Sequence, residues 1–328
     1  MTLRTLQDAT VVIAGASSGI GRATARAFAA EGANVVVAAR REDMLDDVVR
    51  ECRAAGGDGL AVPTDVTDPG AVRHLVDAAI DAFGGIDVWI NNAGIGAVGW
   101  FEQVPLAAHR QVLETNLMGA LNGAHAVIPH FIDRGRGVLI NTASIGSWTA
   151  PPLAAAYTAG KFGLRGLTEA LRQDMRRFPG IHVAAVYPYF VDTPALRHFG
   201  NYTGRSLNIT GLMQRPETVA RVMVDVARHP RGTAPVGLMP VLGRIAYALA
   251  PDLVGSAMFQ GVRFALARAE RGRTDPGNLF DPPADRLATL GGAAWNGGRS
   301  RLPVPPSWMV AGVAGLAALA IAGRNRRA

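Results

Sequence analysis

From Ala9 to about Gly237 the chain alternates short, nearly uninterrupted apolar runs with stretches of helical period. The runs Thr10–Ala14, Asn34–Ala39, Leu60–Pro63, Val88–Ile90, Gly137–Thr142 and His182–Tyr187 predict strands, with a weaker one at Ala234–Leu238. Apolar side chains at consecutive positions suit strands covered on both faces, as in a parallel sheet. Between them Val72, Leu75, Val76, Ala79, Ile80 and Phe83 recur at i, i+3, i+4, i+7, i+8 and i+11, the apolar stripe of a helix. Asp68-Pro69 supplies that helix with a cap and a first-turn proline. Another helix is expected from about Pro105 to Ile132. Repeated strand–helix–strand units predict an α/β fold of Rossmann type, a doubly wound parallel sheet, over residues 1–240.

The rhythm is lost after Gly237. Ile245–Arg271 predicts a helical extension (241–271) broken at Pro251-Asp252. Residues 272–307 are rich in glycine and proline and are expected to be an irregular linker. An uncharged run, Met309–Gly323, follows Trp308 and precedes Arg324, Arg326 and Arg327. Fifteen residues make about 23 Å of helix against a hydrocarbon core of about 30 Å. Residues 308–327 are therefore a candidate membrane segment, as a short anchor or an interfacial helix. The alternative is a soluble packing helix or dimer arm.

With 49% hydrophobic and 18% charged residues in 328, the chain can build a large core, and global disorder is excluded. The net charge of +7 would suit nucleic acid or an anionic membrane. Arginines are spread along the chain and aromatics are only 6%, which speaks against nucleic acid. Cys52 is the single cysteine; it sits on an apolar stripe with Leu45, Val48 and Val49 and is expected in the core, not in a disulfide. His109, His125 and His130 lack metal-ligand spacing and are expected at a surface or interface, so no metal is expected. The N-terminus shows no secretory signal pattern, which points to a cytoplasmic location.

Three places carry chemistry. After the first strand, Gly15-Ala16-Ser17-Ser18-Gly19-Ile20-Gly21 leads into a helix. Glycines permit a tight turn and close approach to a phosphate, and the helix N-terminus offers N–H donors and a positive dipole end. The second strand ends in Arg40-Arg41 with no acid. A cation there suits a 2′-phosphate, hence NADP over NAD. Tyr157 and Lys161 stand at i and i+4 on one helical face. Lys161 is the one lysine among 33 basic residues. A nearby ammonium lowers the pKa of a phenol from about 10, making tyrosine usable as an acid/base. Ser144, at the end of a central strand, would point into the ligand crevice. Asn116, mid-helix, would serve a polar network.

This pattern resembles the short-chain dehydrogenase/reductase family over about residues 8–240. The matching motifs are Gly15-x-x-x-Gly19-x-Gly21, Asp65 after the third strand, Asn91-Asn92-Ala93-Gly94 after the fourth, Asn116, Ser144 and Tyr157-x-x-x-Lys161. The resemblance implies hydride transfer between NAD(P) and an alcohol or carbonyl. Tyr157 would be the acid/base, Ser144 would hold the substrate oxygen, Lys161 would bind the nicotinamide ribose and tune Tyr157, and Asn116 would fix a water. Gly15, Ser17, Ser18, Gly19, Ile20 and Gly21 would cradle the cofactor. Asp65, Val66, Asn92 and Gly94 would contact it further along, and Thr193 would reach the nicotinamide amide. Two positions depart from the family. Ala14 replaces a threonine, which is expected to loosen the turn. Pro188-Tyr189-Phe190 replaces Pro-Gly, which is expected to narrow the site or line it for an apolar substrate. The expected partner is a small lipophilic alcohol or carbonyl. A homo-oligomer, and membrane contact through the C-terminal segment, are also expected. A non-catalytic nucleotide-binding sensor on the same fold is the alternative, disfavoured by the intact Asn/Ser/Tyr/Lys set. A sugar-nucleotide epimerase or dehydratase is disfavoured by the glycine spacing.

Overall fold

The computed structural model describes residues 5–206 and 213–282. In chain order the first elements are β1 (Thr10–Ala14), α1 (Gly19–Ala29), β2 (Asn34–Ala39), α2 (Glu42–Ala55), β3 (Asp58–Pro63), α3 (Pro69–Phe83), β4 (Val88–Asn91) and the short β5 (Ala97–Val98). Then come α4 (Leu106–Leu113), a π-helical turn (Glu114–Met118), α5 (Gly119–Arg134), β6 (Gly137–Thr142), α6 (Ala155–Asp174) and β7 (Ile181–Tyr187). Last are α7 (Ala195–His198), β8 (Gly200–Asn201), α8 (Pro216–Arg228), β9 (Thr233–Pro235), α9 (Met239–Leu249) and α10 (Pro251–Arg268).

Seven strands form one sheet in the order β3-β2-β1-β4-β6-β7-β9, and every pairing is parallel. Successive strand side chains point to opposite faces, and both faces are covered. Val11, Ile13, Val35, Val37 and Ile140 pack with Phe28 of α1, Val48 of α2 and Met223 of α8. Val12, Val36, Trp89 and Leu139 pack with Leu75 of α3 and Val127 and Phe131 of α5. This double covering explains why strand interiors such as Val35-Val36-Val37 are apolar. Cys52 is fully buried in the first of these layers. At the start of α3, Asp68 accepts from Gly70 N at 2.7 Å with Pro69 behind it.

The strand order reverses at β1, between β2 and β4. Open parallel sheets bind ligands at the carboxyl ends of the strands beside such a reversal. A cavity of about 1200 Å³ lies there, lined by the loops after β1, β2, β4, β6 and β7 and closed by α9 and α10.

Residues 272–282 are irregular and mostly exposed, but within them Leu279 is fully buried, and Asp275 pairs with Asn201 in an antiparallel bridge. Their partners lie far off in sequence, so no local period announces them. His130 is half-buried, and its Nε2 accepts the Ile86 N–H at 2.9 Å. The candidate segment 308–327 lies outside the described residues. Among the described residues, no helix is long and apolar enough to cross a membrane.

Candidate active site

The glycine loop is built by contacts that exclude side chains. Gly15 has φ +91°, and a Cβ there would sit 2.5 Å from Ala93 N. A Cβ on Gly21 would lie 2.0 Å from Gly15 O. The backbone therefore folds back on itself where α1 begins. Ser18 stands at the N-cap without a side-chain cap bond, and the first turn holds no acid. The leading N–H groups of α1 thus have no anionic side chain against them, which fits an incoming phosphate. Ser17, Ser18, Gly19 and Ile20 line the cavity with Gly15. Asn92 Nδ2 donates to Gly15 O at 2.7 Å. Asn92 Oδ1 accepts from Thr142 at 3.2 Å, so its amide braces the loop against β6.

Asp65 and Val66 follow β3. Asp65 Oδ1 accepts from Thr67 N at 2.9 Å and from its hydroxyl at 2.8 Å, while the Val66 carbonyl accepts from Asn122 at 2.9 Å. Both residues also line the cavity. Arg40 stands just past β2. Its Nη1 donates to the Phe280 carbonyl at 2.7 Å and its Nη2 to the Asn278 carbonyl at 3.1 Å. Arg41 pairs with Asp43 at 2.8 Å.

At the other end of the cavity stand Ser144, Tyr157 and Lys161. Ser144 caps a short 3₁₀ turn, its Oγ accepting from Gly146 N at 3.1 Å. It also shares a side-chain hydrogen bond with Tyr157. The Lys161 Nζ donates to the Thr142 carbonyl at 2.8 Å and lies 5.8 Å from the Tyr157 ring centre. Gly94 lies beside them and also lines the cavity. Burial pulls the lysine down to about 8. Burial pushes the Tyr157 phenol up, and the Ser144 bond pulls it back in part. Removal from water is the larger influence at both groups.

Asn116 sits in the π-helical turn, fully withdrawn from solvent. Its Oδ1 accepts from Ile95 N at 2.8 Å and its Nδ2 donates to Ile95 O at 2.9 Å. The amide therefore fixes the chain just past Gly94 and does not line the cavity itself. Thr193 is buried and approaches the loop so closely that a Cβ on Gly19 would meet it at 3.0 Å. Tyr189 and Phe190 pack edge to face at 5.0 Å beside the cavity. Phe199 packs against Tyr157, ring centres 6.0 Å apart. Several lining residues escaped sequence reasoning: Phe199, Met239 and Asn278. They come from the irregular or extension segments, and no motif marks them.

The pattern of the short chain dehydrogenase family matches residues 9–201. The chain belongs to that family. An uncharacterized oxidoreductase, YxnA of Bacillus subtilis, is 31% identical over 99% of this chain and 94% of its own length. The 3beta-hydroxysteroid dehydrogenase 1 of Eggerthella lenta is 39% identical over 58% of this chain and 73% of its own. Cyclohexanol dehydrogenase of an Acinetobacter species is 32% identical over 65% and 84%. Among solved structures, a short chain dehydrogenase/reductase from Burkholderia phymatum in complex with NAD superposes with TM-score 0.68 at 26% identity, covering 76% of this chain and 95% of that one. This short-chain dehydrogenase thus has the family fold, and it is an oxidoreductase of hydroxyl and carbonyl groups.

Proposed function

We propose that the protein reduces carbonyls and oxidises alcohols of lipophilic substrates with NADP(H), with Tyr157 moving the proton. The observation that carries this reading is one cavity lined by the phosphate-fitting loop at one end and by Ser144, Tyr157 and Lys161 at the other. A bound nicotinamide would supply or accept the hydride. Ser144 orients the substrate oxygen toward the phenol, and the buried phenol, held above its ordinary value, stays protonated at neutral pH. It is thereby set to donate to a carbonyl oxygen. Asp65, Val66, Asn92, Gly94 and Thr193 hold or shape the cofactor end, and Asn116 positions the Gly94–Ile95 backbone.

Arg40, with no acid beside it, supports NADP over NAD. Met239, Leu242, Ile245 and Met258 in the cavity wall support an apolar substrate, and the hydroxysteroid and cyclohexanol dehydrogenase relatives point the same way. Exposed Leu249, Leu253 and Phe264 on α9 and α10 support contact with a cytoplasmic membrane face, alongside residues 308–327. Exposed Leu106, Met118 and Leu121 along α4 and α5 support homo-oligomerisation.

The test is a carbonyl and alcohol panel followed at the nicotinamide absorbance. Tyr157→Phe is expected to abolish turnover and keep NADPH binding; near-wild-type turnover in that variant would refute the assignment. NADPH is expected to bind more tightly than NADH. Arg40→Ala should narrow the gap by about 1.5–3 kcal/mol, the scale of a charged hydrogen bond. Equal affinities in the wild type would rule out the cofactor reading.

A further inference from the structure

The chain beyond α10 runs back across the cavity as a strap. Ser206 N donates to Glu270 O at 2.9 Å, Asn201 N to Asp275 O at 2.7 Å and Asn278 N to His198 O at 2.8 Å. Gly277, at φ +59°, presses so close that a Cβ would lie 2.2 Å from His198 O. Leu279 is fully buried among Ile95, Val104 and Val112. Up to Leu279 the strap is therefore fastened to the substrate side by its own packing. At its far end the Phe280 side chain is 47% exposed. Here the hydrogen bonds from Arg40 to the Asn278 and Phe280 carbonyls tie the strap to the end of β2. Arg40, Asn278 and Pro282 line the same cavity as Ser17 and Ser18.

We infer that this strap and the 2′-phosphate of a dinucleotide compete for Arg40, so that the strap residues 278–282 set cofactor preference. The inference rests on the NADP reading above. The strap meets Arg40 with two neutral acceptors. A phosphate also offers only acceptors there, but it carries charge, and charge-assisted bonds to guanidinium are roughly twice as strong as neutral ones. The carbonyl oxygens and the phosphate oxygens also repel one another across a shared guanidinium. A 2′-hydroxyl carries no charge and can donate to a carbonyl, so NAD leaves the strap in place. NADP then loses part of its binding energy to opening the strap, because only the open form is competent.

The experiment is amide hydrogen exchange on the full-length protein, alone and with NADP⁺ or NAD⁺ at matched occupancy. NADP⁺ is expected to speed exchange in peptides spanning 275–282 several-fold, while NAD⁺ leaves them unchanged. Arg40→Ala is expected to show the fast exchange without nucleotide. Leu279→Ala, which weakens the strap's anchor, should tighten NADP⁺ at least about threefold and NAD⁺ by less than about twofold. Exchange that NADP⁺ leaves unchanged or slows would overturn the inference, since Arg40 would then serve strap and phosphate together with its five N–H groups. Affinities measured on the same samples judge the NADP reading separately. A preference for NADP⁺ over a stationary strap defeats only the competition, and equal affinities defeat the cofactor assignment.

Discussion

Lys161 is 4% exposed and is held down to about 8 by burial. Its unfolded value is 10.5, so the sign of its effect on stability follows. Below about 8 the ammonium is charged in both states and the fold bears its full desolvation cost. Between about 8 and 10.5 the folded state releases the proton first, and the cost fades. Lys161→Met should therefore stabilise the chain at pH 7 by about 1–3 kcal/mol, allowing for the lost bond to Thr142. The gain should shrink as pH rises through that window. Denaturant unfolding at pH 7 and pH 10 measures it, and a pH-independent difference would contradict the buried ammonium. The same variant should be nearly inactive. The residue most valuable to the proposed chemistry thus costs the fold stability, as expected where a site is selected for reactivity. Activity in the wild type should also decline as pH passes about 8, because a neutral lysine no longer offers a positive charge to a bound ribose.

Between α4 and α5 the helix widens into the π turn at Glu114–Met118, which displaces Asn116 from the ordinary ladder. π turns often mark functional sites. Asn116→Leu would leave the Ile95 N–H and carbonyl without the side-chain partners they now have, inside a buried region. That should cost about 2–5 kcal/mol and loosen the Gly94–Ile95 backbone beside Lys161. Thermal unfolding checks the first effect and cofactor affinity the second. This element also shows where sequence stops being informative. The strands were legible because double covering leaves runs such as Val35-Val36-Val37 no polar position. The pairing of Tyr157 with Lys161 was legible because helical spacing brings i and i+4 together. A π turn differs from an α turn by a shift in hydrogen bonding and not by residue type, so Asn116 could be singled out only as a polar misfit. The strap was hidden for a different reason: its contacts with residues 198–206 and Arg40 are remote and made largely through the backbone.

Over the whole molecule, the carboxyl ends of seven parallel strands share one edge, and the extension helices α9 and α10 close the cavity that opens there. They carry exposed Leu249 and Leu253 as well as Arg244 and Arg263, residue types suited to an anionic bilayer surface, where each cation contributes about 1 kcal/mol. Full-length protein is expected in the membrane fraction, resistant to salt and carbonate washes, and a chain ending near residue 282 is expected to be released. Recovery of the full chain wholly in the soluble fraction would defeat membrane association. The central place of β1 has another consequence, for the order of assembly. The earliest strand of this sheet in chain order becomes an inner strand, flanked by β2 and β4, and β4 in turn waits for β6, which ends at Thr142. Until then Val88-Trp89-Ile90 presents an apolar, unpaired edge to whatever is nearby, the kind of edge on which chains aggregate. Refolding yield should accordingly fall steeply with protein concentration, and the burial of Trp89 should report the step at which that edge is finally closed.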